Sequence, residues 1–505
     1  MESHFDDEVT SPVEDAREAA AAEGPASPAV GRDEWVARHG ERRVRRGGPL
    51  GTLEERLRRV PWWAWLTLFV VLFALLPVGV TDAYWRRVAF DTVLFMMLAL
   101  GLNVVVGWGG LLDLGYLMFY GFGAFTYANL RSDQFDLHLP TLLVIAIAVV
   151  GGALLGILVG LPSRRLSGDY LAIVTLFAYQ IFISILIGGD DIFGVDLTGG
   201  VNGILKVDPL SFFGHSIPVS KEGGEFNVAY LYVALVFFTL LFVALRLVDR
   251  SRTGRAWRSL REDSLAAQLM GMPVPWLKLM AFSFGAAVAA LTGTLLVSLN
   301  GSVFPGNFDL TLLITIYAMM ILGGLGSQAG AVLGAILITV LLELLREPSN
   351  SRYIFYAVLV LGLVAVLRVS VRLAVVAGGV ILLGVLIRVV VDLVDSSWTG
   401  SAPDGSGWLG DLLARWVVEP DSVAPWLKST AYISLIALAL LLTTLRGWTR
   451  LAVLVPVLYL ATFVWENVLA VQPEVTRYIL LGALLVVVMI VRPNGLLGEK
   501  RVEIV

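Results

Sequence analysis

Residues Leu139–Leu161 read LPTLLVIAIAVVGGALLGILVGL, an unbroken stretch without one charged side chain. Roughly 20 apolar residues in helical form cross the hydrocarbon core of a bilayer, so this run is long enough to span it. Peptide groups inside lipid must be satisfied within the segment, and a helix does that. Outward from it, Trp62–Val80, Val228–Leu245 and Ile479–Val491 are equally free of charge. The chain of 505 residues is 57% hydrophobic and only 15% charged, with its apolar residues gathered into runs. The fold class that follows is all-α, a polytopic transmembrane helical bundle.

Hydropathy sets crossings near 62–80, 88–106, 113–130, 139–161, 169–187, 228–245, 278–299, 309–325, 328–345, 353–368, 370–391, 427–445, 449–469 and 477–491, about fourteen in all. Residues 1–60 begin acidic and rich in Ala, Pro and Ser, then turn basic from Arg42 to Arg59. They read as a disordered cytoplasmic tail ending in a basic anchor. The apolar run behind it is too long for a signal-peptide core and is expected to persist as the first crossing. Alternation from that anchor sets Arg164, Arg165, the charged loop 246–277, Arg368, Arg372, Arg446, Arg450 and Arg492 in the cytoplasm. Asp133, Asp136, Asp190, Asp191, Asp196 and the acids of 392–421 fall outside. Both termini come out cytoplasmic. The organisation is a tail 1–60, a transmembrane core 61–350, further helices with an external loop in 351–476, and a last helix and tail in 477–505. Within 351–476, Trp408–Val418 has the make-up of an interfacial helix. Arg352-Tyr353-Ile354 is echoed by Arg477-Tyr478-Ile479, through duplication or through shared helix grammar.

The composition excludes several chemistries. With no cysteine, disulfides, thiolate metal sites and cysteine nucleophiles are ruled out. The four histidines, His4, His39, His138 and His215, do not pair at metal-ligand spacing, so no metal site is expected. No G-x-x-x-x-G-K-[ST] loop occurs, so nucleotide energy would have to come from another subunit.

The charged loop contains Gly254–Met272, GRAWRSLREDSLAAQLMGM. Ser259 and Glu262 stand at capping-box spacing, which predicts a helix starting at Ser259. Glu262 and Asp263 would then lie in the first turn, favoured by the positive end of the dipole. Gly271 suits a left-handed C-terminal stop, with Pro273 barring continuation. Leu265 with Leu269 and Ala266 with Met270 form an apolar patch at i,i+4 spacing. Such a helix either lies on the membrane surface or is gripped by another protein.

Inside the membrane, Gly101–Phe125 reads GLNVVVGWGGLLDLGYLMFYGFGAF. Its glycine density suits close helix packing or broken backbone lining a cavity. Asn103, Gly109, Gly110, Asp113, Tyr116 and Tyr120 are candidates for a polar route, joined by Thr175 and Gln180, the polar interruptions of the 169–187 helix. An ionisable residue at such depth is by default a functional hypothesis; for Asp113 the competing reading is a helix cap. Thr198, Gly199, Gly200, Asn202 and Gly203 form an external glycine-rich turn, which offers donors to an anion or simply reverses the chain. Gly323–Ser327 is a tight reversal, and Gly330 with Gly334 gives small-xxx-small packing.

Together these pieces resemble the LivM-type permease subunit of bacterial branched-chain amino acid ABC importers. The matching segments are Gly101–Ala124, Gly168–Leu176, Thr198–Ile204, Gly254–Gly271, Leu322–Gly334 and Arg492–Gly498 (RPNGLLG), in that order. The resemblance implies that the capped loop helix docks on an ATPase, with Arg261, Glu262, Asp263, Ala266, Ala267 and Gly271 as the coupling element. It implies a LivH-type second permease, two cytosolic ABC ATPase subunits that bind ATP and Mg, and an extracytoplasmic substrate-binding protein. The chain itself would hold no cofactor, sit in the bacterial inner membrane in contact with lipid, and have no nucleic-acid partner. Three departures stand out: the long tail, about four extra helices in 353–476, and Gln180 where an acidic residue is expected.

Import of branched-chain or related amino acids is the expectation. The same machinery carrying urea, short amides or another small polar solute is the alternative. An ion-coupled secondary transporter would need charges at the bilayer midplane, whereas Asp91, Glu343 and Glu466 fall near predicted helix ends. A membrane enzyme lacks any nucleophile and base constellation.

Overall fold

The computed structural model describes residues 61–505, apart from 163–167, 192–194, 213–214, 221–225, 368–369, 395–415, 419–424, 446, 470–472, 492–494 and 499–505. The tail 1–60, Arg164, Arg165, Arg368, Arg446, Arg492 and most of the expected interfacial helix therefore lie outside the described residues. The chain divides into two units, Met1–Phe69 and Val70–Val505. In the first, the described residues are the opening turns of α1 (Trp62–Gly79).

Every expected crossing falls on a helix. Along the second unit these are α2 (Ala83–Leu102), α3 (Tyr116–Leu130), α4 (Thr141–Gly160), α5 (Asp169–Ile187) and α6 (Ala229–Arg250). The charged loop carries α7 (Arg252–Glu262) and α8 (Ser264–Leu269), and leads to α9 (Val274–Asn300), α10 (Leu310–Gly323) and α11 (Gln328–Leu344). The extra segment forms α12 (Pro348–Leu367), α13 (Val371–Val394), α14 (Pro425–Thr444) and α15 (Trp448–Val464), before α16 (Pro473–Val491). Among the described residues, nine helices are long and apolar enough to cross a membrane. The protein is an all-α, multi-pass membrane protein.

The core gathers around α9, whose 27 residues make a rod of about 40 Å. Both α2 and α3 pack on it with Met96, Met97, Leu98, Phe119 and Tyr127 fully enclosed, as expected of helices that are apolar all round. The stretch Leu139–Leu161 supplies α4, and its glycines decide how it packs. Gly152, Gly156 and Gly160 recur every fourth position and meet Ala290, Ala286 and Phe282 of α9. A Cβ on Gly156 would lie 2.6 Å from Ala286 Cβ and 2.8 Å from the Phe282 carbonyl, so only glycine allows this approach. Association in lipid rests on such close packing, because lipid is as apolar as leucine. Leu142, Leu154 and Leu158 on the other face of α4 are exposed, as lipid-facing residues should be.

The helix α2 does not end at Leu102 but widens into a π-helical turn, Asn103–Trp108. The reversal at Gly323–Ser327 packs against that turn: Gly326 N–H donates to Asn103 Oδ1 (2.8 Å), and Trp108 Nε1 donates to the Gly326 carbonyl (2.9 Å). The C-terminal motif closes over the same reversal through Leu496 N–H to the Leu322 carbonyl and Leu497 N–H to the Gly323 carbonyl. At the other end of α9, strands β1 (Ile204–Leu205) and β4 (Ser302–Val303) pair antiparallel, with the small hairpin β2 (Ser211–Phe212) and β3 (His215–Ser216) between them in sequence.

In the extra segment α12 is tied to the π-helical turn Trp465–Leu469. Glu466 is fully buried and accepts from Arg352 (2.6 Å) and from the Tyr356 hydroxyl (2.9 Å), while Phe355 stacks on Trp465 at 4.1 Å. Glu466 lies near the helix end, as expected, and there it is buried and paired. The arginines of the sequence echo differ in role: Arg352 pairs with Glu466, whereas Arg477 lies over the Tyr478 ring.

Candidate functional site

The charged loop is two helices rather than one. Ser251 caps α7 by accepting from Gly254 N–H (3.3 Å), and Ser259 lies in the interior of that helix, its hydroxyl donating back to the Arg255 carbonyl. The expected capping box at Ser259 and Glu262 does not form. The start of the second helix falls at Asp263, the residue with extended backbone (φ −153°, ψ 107°), whose carboxylate accepts from Leu265 N–H (2.8 Å) and Ala266 N–H (3.0 Å). The stop is as expected: Gly271 has φ 81°, its N–H donates to the Gln268 carbonyl, and Met272 N–H donates to the Ala267 carbonyl. These two bonds are a Schellman ending. Only six residues long, α8 owes its shape to caps at both ends.

The predicted coupling residues split between two faces. Glu262, Asp263, Ala266 and Gly271 are exposed, together with Leu265, Leu269 and Met270, the last two at 80% and 82%. Ala267 and Arg261 point the other way: Ala267 is buried, and Arg261 Nη1 donates to the Gly107 carbonyl in the π-helical turn (2.7 Å). A second tie comes from Trp257, fully buried, which stacks on Trp108 (6.3 Å between centroids, 24°) and donates from Nε1 to the Leu277 carbonyl at the start of α9 (2.9 Å). Behind both, the buried Asp249 carboxylate is paired with Arg246 and Arg258. The loop thus shows an apolar, capped outer face and an inner face latched to α2 and α9. Trp257 escaped the sequence reading because a tryptophan in a basic helix carries no spacing signal, and Trp108 because an aromatic does not stand out in an apolar stretch.

Most of the predicted route residues gather just beneath this latch. Asn103 holds Gly326, Gly110 lies against the Cα of Arg261, and Gly109 is buried beside Ala281. Tyr116 donates to the Leu98 carbonyl (3.0 Å). Asp113 is wholly buried; one carboxylate oxygen accepts from Gly115 N–H (2.9 Å) just before α3, and the other has no hydrogen-bond partner among the described residues. Thr175, also buried, accepts from Leu114 N–H (2.9 Å). Gln180 does not join this group. It is exposed, because five residues along a helix turn it about 140° from Thr175. Tyr120 is separate as well: it lines a cavity toward the far end of α9, beside Arg87 and Asp91. Asp91 stands eight residues into α2, about 12 Å from its start, and not at a helix end.

The external turn uses its own donors. Asp196 Oδ1 accepts from the N–H groups of Thr198 (3.1 Å) and Gly199 (2.6 Å), Thr198 Oγ1 accepts from Gly200 N–H, and Gly203 N–H donates to the Gly200 carbonyl. Four of the turn's N–H groups are thus satisfied within the turn itself, and Asn202 is exposed.

Residues 85–367 match the family model described as the branched-chain amino acid transport system / permease component. The chain belongs to this permease family. It is 39% identical over 292 residues to the high-affinity branched-chain amino acid transport system permease protein LivM of Escherichia coli, covering 54% of this chain and 65% of that protein. The probable LivM of Methanocaldococcus jannaschii is 26% identical over 291 residues, 52% of this chain and 80% of the relative. The permease also matches LivH of Escherichia coli, at 24% identity over 282 residues, 53% of this chain and 88% of LivH. It spans just under two thirds of the Escherichia coli LivM length. No solved structure matches it. The matched region holds the latch, the buried polar group and the glycine-rich turn, and it also takes in α12, so the first of the helices expected to be extra lies within the family match.

Proposed function

We propose that this permease is the membrane-spanning subunit of an ATP-binding-cassette importer that moves branched-chain or related amino acids inward. Separate ATPase subunits supply the energy by docking on α8. One observation supports the reading: the short helix α8, exposed on one face and capped at both ends, follows directly on α7, which is latched to α2 and α9 through Arg261 and Trp257. A force on α8 therefore reaches the transmembrane bundle rather than dissipating in a loose loop. The distribution of arginines supports a cytoplasmic location for α7 and α8, cytoplasmic termini and an inner-membrane setting. Similarity to both LivM and LivH supports a second permease of the same family as the partner, with two ATPases binding ATP and Mg and an extracytoplasmic binding protein completing the machine. Deleting the partner ATPase is expected to abolish uptake. Uptake that continues on an ion gradient alone would overturn the proposal, and the ligand retained by the purified binding protein would separate amino acids from urea or amides.

A further inference from the structure

At the end of α9 remote from α8, a cavity of about 290 Å³ opens between α2, α3, α9 and α10. That size is near the small end for ligand pockets, roughly 300–1,000 Å³, and suits one small molecule rather than a peptide. Five side chains with polar atoms line it: Arg87 and Asp91 from α2, Tyr120 from α3, Asn300 from the end of α9, and Asn307. The rest of the wall is apolar, with Phe95, Leu296 and Leu312 prominent.

The polar groups are organised and still have capacity. Arg87 Nε donates to both Asp91 oxygens (3.3 and 3.2 Å), and one Nη donates to Asn300 Oδ1 (2.6 Å). A guanidinium has five N–H donors, so those bonds leave its Nη edge able to take a carboxylate, and an ionised carboxylate accepts about four hydrogen bonds, so Asp91 can take an ammonium as well. Both side chains are about one third exposed. Opposite charges one helical turn apart, next to an aliphatic wall, match a molecule that carries an ammonium, a carboxylate and an apolar side chain on one carbon. Arg87 and Asp91 both stand within an apolar helix long enough to cross a membrane, where an ionisable pair marks a functional site by default.

We propose that this cavity is a substrate site for the zwitterion of an aliphatic amino acid. Arg87 takes the α-carboxylate, Asp91 takes the α-ammonium, and Phe95, Leu296 and Leu312 enclose the side chain. The assignment rests on the importer reading and adds to it the residues that recognise the substrate.

The test uses the full complex in nanodiscs without binding protein, probed by thermal shift with leucine, leucinamide and 4-methylpentanoate, alongside ATP-driven leucine uptake with binding protein in proteoliposomes. Leucine is expected to stabilise the unmodified complex, while leucinamide and 4-methylpentanoate, each lacking one charge, bind at least about tenfold more weakly. Arg87→Gln and Asp91→Asn should weaken leucine binding by a similar factor, and Arg87→Lys should recover part of it. The comparison of ligands on the unmodified protein decides the matter even if a variant fails to fold. Equal shifts from all three ligands, or leucine uptake with unchanged half-saturation in both neutralised variants, would overturn the site and leave the importer standing. If no branched-chain amino acid is taken up, yet glycine stabilises the complex through Arg87 and Asp91, the substrate reading fails and the zwitterion site holds.

Discussion

Replacing Arg261 with Ala tests the latch directly. The guanidinium joins α7 to the π-helical turn through a 2.7 Å bond to the Gly107 carbonyl, and its backbone rests against Gly110. A hydrogen bond from a charged donor contributes about 1.5–3 kcal/mol. At 1.4 kcal/mol per factor of ten, its loss weakens the link between loop and bundle by about 10- to 150-fold. The fold should survive, because Trp257 still anchors the loop. The expected phenotype is a complex of normal elution volume that hydrolyses ATP but moves fewer substrate molecules per ATP, measured in proteoliposomes by phosphate release and labelled uptake together. Arg255→Ala is the matched control: it removes an exposed charge from the same helix, a guanidinium that donates to the local Arg250 carbonyl rather than to the bundle. A folded Arg261→Ala complex with an unchanged ratio of uptake to hydrolysis would refute the latch.

Further expectations concern the loop, the packing and the outer surface. Gly271→Val meets open space but must hold φ 81°, costing about 1–2 kcal/mol in strain at the stop of α8; together with Glu262→Lys on the exposed face, it should leave insertion intact and uncouple hydrolysis from uptake. Gly156→Leu drives a side chain into Ala286 and the Phe282 backbone, so monodisperse protein should be lost, whereas the exposed Leu154→Ala should purify normally. Glu466→Ala leaves Arg352 buried without its partner, an expected loss of about 3–5 kcal/mol seen as a lowered melting temperature. The hydrogen bond to Asp208 (2.7 Å), then the charge of that carboxylate, raise the His138 pKa above the usual 6.5. This contact therefore holds the loop fully below the unperturbed pKa and releases it as pH rises through the raised value; hydrogen exchange at 131–139 should speed up over that range, and Asp208→Asn should weaken the dependence, with Asp133 and Asp136 near the ring retaining part of it.

The helices were legible because crossing a bilayer demands length and uninterrupted apolarity, which no other fold imposes on Leu139–Leu161. Their packing was also written there, in Gly152, Gly156 and Gly160, but the four-residue recurrence has meaning only once α9 supplies Ala290 and Ala286. The loop helix was legible in its stop and misread in its start. Ser259 and Asp263 are both cap residues, and choosing between them depended on Ser251 having already begun a helix upstream, so that Ser259 fell inside it. Thr175 and Gln180 share a helix but not a face, which a list of polar interruptions does not reveal. The helix-end position of Glu466 was legible, but its pairing was not, because its partner Arg352 lies 114 residues away.

The two ends of the bundle share the same rods. Arg87 and Asp91 sit in the first half of α2, and the π-helical turn gripped by Arg261 continues its end; Asn300 ends α9, and Leu277, held by Trp257, is near its start. Moving a two-state protein from 1:99 to 99:1 takes about 5.5 kcal/mol of differential binding. The Arg261 bond alone carries about 1.5–3 kcal/mol and is too weak to transmit that bias. With the buried Trp257 added, whose truncation costs about 3–5 kcal/mol, the pair reaches the required size. On the proposed docking at α8, with one tie to each rod, the Arg261 variant should be impaired rather than dead, while loss of Arg261 and Trp257 together should leave an ATPase that transports nothing.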